Sequence, residues 1–166
     1  SDHLYLFPNG VTLDDTIDVF DAGTRALRSR INVGMEPVSV VARPDGQELW
    51  VANHVSDSVS VIDIRPGNRT RFQVVATVQD FMSDDSRATN FDEPVGIAFA
   101  SNAKAYVALS TNNEIAVVDV ATRTVTNRLK IASQDPRAIA VRGNRLFVLP
   151  FESNNQTQLS GCVPDD

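Results

Sequence analysis

The chain repeats itself about every 42 residues, and that period limits the fold to architectures that use one small unit again and again. A proline followed by a small or apolar run stands at Pro37-Val38-Ser39-Val40-Val41-Ala42, Pro94-Val95-Gly96-Ile97-Ala98-Phe99 and Pro136-Arg137-Ala138-Ile139-Ala140-Val141, with the prolines 57 and 42 residues apart. A run with an aromatic residue trails each proline: Leu49-Trp50-Val51-Ala52, Ala105-Tyr106-Val107-Ala108 and Leu146-Phe147-Val148-Leu149, with an earlier copy at Leu4-Tyr5-Leu6-Phe7. A third run, Ile17-Asp18-Val19-Phe20-Asp21, recurs as Val59-Ser60-Val61-Ile62-Asp63 and Ile115-Ala116-Val117-Val118-Asp119. A fourth run follows at Leu27 to Val33, Phe72 to Val78 and Val125 to Ile131. The longer spacings reflect one insertion of about 15 residues between Val78 and Pro94.

The third run is apolar at every second position, a period that suits a strand and no helix face. Val and Ile together number 30 against 10 Leu, and β-branched residues favour a pleated surface. Turn chemistry lies between the runs, as in Pro44-Asp45-Gly46, Pro66-Gly67-Asn68 and Gly143-Asn144. Four short strands in a unit of this length predict an all-β fold, a β-propeller of four-stranded antiparallel blades. With strands lettered A to D from the axis outward, the chain divides into a blade fragment over 3–34, a blade over 37–78, an insertion loop over 79–93, a blade over 94–131, a half blade over 136–150 and a polar tail over 151–166. That is just over three blades, part of a ring of seven or eight. The remaining blades, or a partner chain, are expected to complete it, since an open ring leaves strand edges and a blade face uncovered. Strand A is expected to be covered on both faces. In its second copy Val95, Ile97 and Phe99 form a bulky side, while Gly96, Ala98 and Ala100 form a small side that lets the next blade approach.

The run Ile31-Asn32-Val33-Gly34, Pro37, Arg43-Pro44-Asp45-Gly46, Leu49-Trp50-Val51-Ala52-Asn53 and Asp57-Ser58-Val59-Ser60-Val61-Ile62-Asp63 resembles the YVTN-repeat β-propellers, which include surface-layer-associated and periplasmic proteins. The next unit is similar but departs from the pattern at Ala100-Ser101-Asn102-Ala103-Lys104 and at Leu109, where Asn53 stood. The resemblance spans about residues 3 to 150. It implies a periplasmic, cell-surface or secreted location and a non-catalytic scaffold that binds a protein or ligand. The alternative it leaves open is a propeller domain of a larger redox enzyme, haem- or quinone-linked, or of a hydrolase acting at the channel mouth.

The net charge of −6 argues against nucleic acid, whose phosphates need clustered Lys and Arg. No apolar run of 18 residues is present to span a bilayer, and Ser1-Asp2-His3 opens no basic-then-apolar leader. Cys162 stands alone, which leaves a free thiol or a partner cysteine outside this sequence. No Cys-x-x-Cys-His motif is present, so no cofactor is expected within the segment, and haem would have to come from sequence outside it.

Propeller topology gathers the D-to-A and B-to-C connections on one face, where ligands are expected. A carboxylate precedes each strand-A proline there: Glu36, Glu93 and Asp135. A residue before proline favours extended backbone, and quasi-symmetry then suggests an acidic collar for Ca²⁺, a cation that prefers oxygen ligands, or for a basic partner. Arg137, just inside, would offset part of that charge. The insertion carries five acids and two aromatics, Phe81 and Phe91, which could lie over the channel as a lid. His54 is a further candidate ligand or acid–base group, with Glu36 or Asp57 as neighbours. Asp21, Asp63 and Asp119 each end strand C before a turn, where a carboxylate accepts backbone N–H groups.

Overall fold

The computed structural model describes residues 15–82 and 88–152. The expected strand at Leu4 to Phe7, the middle of the insertion, the tail from Ser153 and Cys162 lie outside the described residues.

Twelve strands follow one another and no helix occurs among the described residues. They are β1 (Thr16–Phe20), β2 (Leu27–Asn32), β3 (Pro37–Ala42), β4 (Glu48–Asn53), β5 (Ser58–Asp63), β6 (Val74–Val78), β7 (Pro94–Phe99), β8 (Lys104–Leu109), β9 (Glu114–Asp119), β10 (Thr124–Lys130), β11 (Gln134–Arg142) and β12 (Arg145–Glu152). β3 to β6 form one four-stranded sheet in chain order and β7 to β10 another, while β1–β2 and β11–β12 are two-stranded. Every pairing is antiparallel. The all-β fold is therefore a partial β-propeller, in which the described residues form two complete blades between two half blades.

Equivalent residues do equivalent work. Asp21 accepts the backbone N–H of Thr24 at 2.8 Å, and Asp119 accepts that of Thr122 at 2.8 Å. Asp63 accepts the backbone N–H of Arg65 at 2.9 Å and both ends of its guanidinium. Each of these C-to-D turns is closed by a residue in the left-handed region: Arg25 at φ 61°, Phe72 at φ 63° and Arg123 at φ 63°. Phe72 thus belongs to the turn and not to the fourth run of the second unit, whose strand begins at Val74.

The main core lies between the two complete blades. Trp50, Ala52, Val59, Val61 and Val78 of the first meet Ile97, Val107, Leu109 and Val118 of the second. Trp50 is fully buried and meets Phe99 edge-on at 5.1 Å between ring centroids. Fully burying one such side chain contributes about 1.5–3 kcal/mol. A second cluster joins Ile31, Ile17 and Val19 of the first half blade to Val51 and Ile62. On the small side of β7, a Cβ added at Gly96 would stand 2.7 Å from the Arg137 carbonyl oxygen, so this glycine sets how closely β11 approaches.

Strand A is covered on both faces only in β7. In β3, Val38 and Val40 are exposed, and β11 alternates exposed and half-buried residues. The cause is geometric: the described chain places strands C and D, but not A and B, in front of β3, and nothing behind β11.

Candidate functional site

The D-to-A and B-to-C connections come together at one rim, and a hydrogen bond repeats there at each seam. The carboxylate of Asp15 accepts the backbone N–H of Glu36 at 2.8 Å, and that of Asp57 accepts the Glu93 N–H at 2.9 Å. The Asn113 side-chain oxygen accepts the Asp135 N–H at 2.7 Å. In each case an Asx residue just before strand C of one blade holds the acid before strand A of the next. Of these acceptors only Asp57 was singled out from the sequence, as a neighbour of His54, although Asp15 to Glu36 and Asn113 to Asp135 have nearly the same separation.

The three acids so held are not extended. Their φ values are 55° at Glu36, 50° at Glu93 and 54° at Asp135, all in the left-handed region. The Asx acceptor holds each N–H in a turn, and this overrides the preference of a residue before proline for extended backbone. The carboxylates also do not converge. Glu93 accepts from the Thr111 hydroxyl at 2.6 Å and the Ser110 hydroxyl at 3.1 Å, while Asp135 pairs with Arg137 at 2.7 Å. Among the described residues no group of three or more His, Cys, Asp or Glu side chains is arranged to hold a metal ion. The calcium collar of Glu36, Glu93 and Asp135 is thus not assembled.

What assembles instead is a polar cluster at the seam between the complete blades. His54 Nε2 stands 3.8 Å from Glu93 Oε2, so its side-chain neighbour is Glu93; Glu36 receives only the His54 backbone N–H, at 2.9 Å. His54 Nδ1 is buried without a hydrogen-bond partner. The Thr111 hydroxyl holds the Glu93 carboxyl below the usual range against the opposing effect of burial, with help from Ser110, His54 and Arg137. Burial pushes the Asp92 carboxyl up, and the neighbouring Asp57 and Glu93 carboxylates add to the effect.

The insertion is a tethered excursion. Phe81 and Thr89 form an antiparallel bridge, Asn90 donates its N–H to the Asp80 carbonyl at 2.7 Å, and Asp80 pairs with Arg128 at 2.5 Å. Its two aromatics part company. Phe91 is fully buried in the main core, so it packs the seam and is not a lid; a ring with that much apolar surface lowers free energy most out of water. Phe81 is 55% exposed. On the same rim Met35, Val55 and Met82 are also exposed, and the Val55 N–H meets the Met35 carbonyl at 3.3 Å.

The opposite rim carries a clamp between blades that the sequence reading missed. Glu48, at the start of β4, accepts from the Arg123 guanidinium at 2.9 Å and the Trp50 indole N–H at 3.1 Å, and pairs with Arg43 at 3.1 Å. Burial raises the Glu48 carboxyl, but hydrogen bonds from Arg123 and Trp50 and the nearby positive charges outweigh it and hold it low.

No family model matches the chain, and no curated protein matches it. Solved structures do. Hydrazine synthase of Kuenenia stuttgartiensis is 27% identical with a TM-score of 0.67, over 81% of this chain and 36% of that one. The Cps50 (Swd1) β-propeller domain of Myceliophteria thermophila is 14% identical with a TM-score of 0.68, over 84% and 45%. Apo AztD of Citrobacter koseri is 22% identical with a TM-score of 0.57, over 80% and 34%. This chain therefore spans less than half the length of each of these structures, and what it shares with them is the propeller fold.

Proposed function

We propose that this chain is a non-catalytic β-propeller scaffold that binds a protein partner through the rim carrying the insertion, within an extracytoplasmic protein of the YVTN-repeat type. One observation carries the binding reading: Met35, Val55, Phe81 and Met82 are exposed on one rim, beside the polar cluster of His54, Asp57 and Glu93. Exposed apolar side chains bordered by polar groups on well-tethered loops are what a protein-binding surface needs. The location and the YVTN assignment rest on the repeat residues quoted above. The test is the double substitution Met35→Ser and Phe81→Ser in the intact protein, followed by quantitative capture from the cell envelope. The substitutions should weaken retention of the wild-type partner about tenfold, the equivalent of about 1.4 kcal/mol, at unchanged melting temperature. Undiminished retention would reject this rim as the binding surface.

A second reading, a propeller domain of a larger redox enzyme, is favoured by the likeness to hydrazine synthase. Haem would then be held by sequence outside this chain. A visible absorption band in the intact protein supports this reading, and a featureless spectrum removes its haem-linked form.

A further inference from the structure

Both open sides of the blade stack expose apolar residues, and the side at β12 carries enough information to say what covers it. Alignment of the B strands places Arg145-Leu146-Phe147-Val148-Leu149 on Glu48-Leu49-Trp50-Val51-Ala52. In the complete seam, Trp50 and Ala52 face the following blade, and Glu48 takes the Arg123 guanidinium of that blade's C-to-D turn. Phe147 and Leu149, at the equivalent positions, are 53% and 64% exposed, and Phe151 beyond them is 73% exposed. This is the same half of a seam without its other half.

The charge at the clamp position is reversed. Arg145 replaces Glu48, Arg142 stands where Arg43 stood, and the two line a recess with Gly143, Asn144 and Phe147. Among the described residues neither arginine makes an ion pair. An arginine at the Arg123 position of an arriving blade would repel them. A second copy of this chain would offer its own open side at β3, whose C-to-D turn carries the exposed Arg65, Arg69 and Arg71 and is therefore a poor match.

We propose that the exposed side of β12 docks a further blade of the ring, one that carries a carboxylate at the left-handed residue closing its C-to-D turn. Apolar burial of Phe147, Leu149 and Phe151 supplies the attraction, and the pairing of Arg145 with that carboxylate selects which blade sits there. The same rule covers the preceding seam. Lys104 stands at the Glu48 position in β8 and is also basic and exposed, so the C-to-D turn that completes the β11–β12 blade carries an acid as well.

Zero-length carbodiimide coupling tests this in the intact protein, because it joins a lysine only to a carboxylate in direct contact. Lys104 in the wild type, and position 145 in an Arg145→Lys variant, should each couple to an Asp or Glu in the C-to-D turn of the abutting blade, as mapped by peptide mass. The charge-reversing Arg145→Glu should lower the melting temperature more at low salt than at high salt. Three results overturn the proposal: no coupling at position 145, coupling to a carboxylate outside a C-to-D turn, or coupling between labelled and unlabelled copies of this chain in an isotopic mixture.

Discussion

Asp63 and Asp92 are both carboxylates at blade ends, and their surroundings drive them in opposite directions. The Arg65 guanidinium, the Thr70 hydroxyl and the Arg65 N–H hold Asp63 well below the usual carboxylate range, against the effect of burial. A carboxyl depressed in the folded state stabilises the fold above its unfolded pKa of about 3.9, and that contribution is lost as pH falls. Asp92 is raised, so its ionised form costs stability at neutral pH, and protonation of the native state relieves the cost as pH falls. Asp63→Asn should therefore lower the melting temperature at neutral pH and Asp92→Asn should raise it, with both differences shrinking in strong acid. Melting curves across a pH series check both signs. Gly96 makes a purely steric prediction. Gly96→Ala puts a methyl group 2.7 Å from the Arg137 carbonyl oxygen and should destabilise by about 1–3 kcal/mol, measured by denaturant unfolding.

Strands and turns meet their neighbours through two kinds of seam contact. On the insertion rim a side chain holds a backbone N–H, Asp57 to Glu93, and on the opposite rim two side chains pair, Glu48 with Arg123. The second contact is part-buried and joins residues 75 positions apart. Arg123→Ala should cost about 1–3 kcal/mol, since it leaves the Glu48 carboxylate without its strongest donors. A double-mutant cycle with Glu48→Gln checks that the loss belongs to the pair, because the second substitution should then add little. The Asp at the end of each C strand was legible in the sequence, since its role needs only the turn beside it. The Glu48–Arg123 clamp was not, because its partners lie on different blades and no local pattern links them. Phe81 and Phe91 read alike in the insertion, and only packing separated the buried ring from the exposed one.

Taken whole, the described chain is a stack whose middle seam is fully packed and whose outer sides are not. Val38 and Val40 at one side and Phe147, Leu149 and Phe151 at the other are exposed to the extent of 44% to 73%. The 166-residue chain should therefore bind an apolar dye such as ANS while folded, and Phe147→Asp with Leu149→Asp should reduce that fluorescence. Both side chains are more than half exposed, so the substitutions should change unfolding free energy by no more than about 0.5 kcal/mol. A larger loss would mean that these side chains are packed in solution.

The period of about 42 residues, the alternation within each run and the turn residues between runs determined by themselves that this chain forms four-stranded antiparallel blades, because strand and turn preferences act over a few neighbouring residues. Which carboxylates meet was decided by tertiary structure alone. Glu36, Glu93 and Asp135 occupy equivalent places in the repeat, yet the Glu93 carboxylate turns to Thr111 and Ser110, brought beside it by the pairing of β7 with β8, and that of Asp135 turns to Arg137 on its own strand. Repetition sets where a side chain starts, and the residues that differ beside it within each blade set where its charge goes.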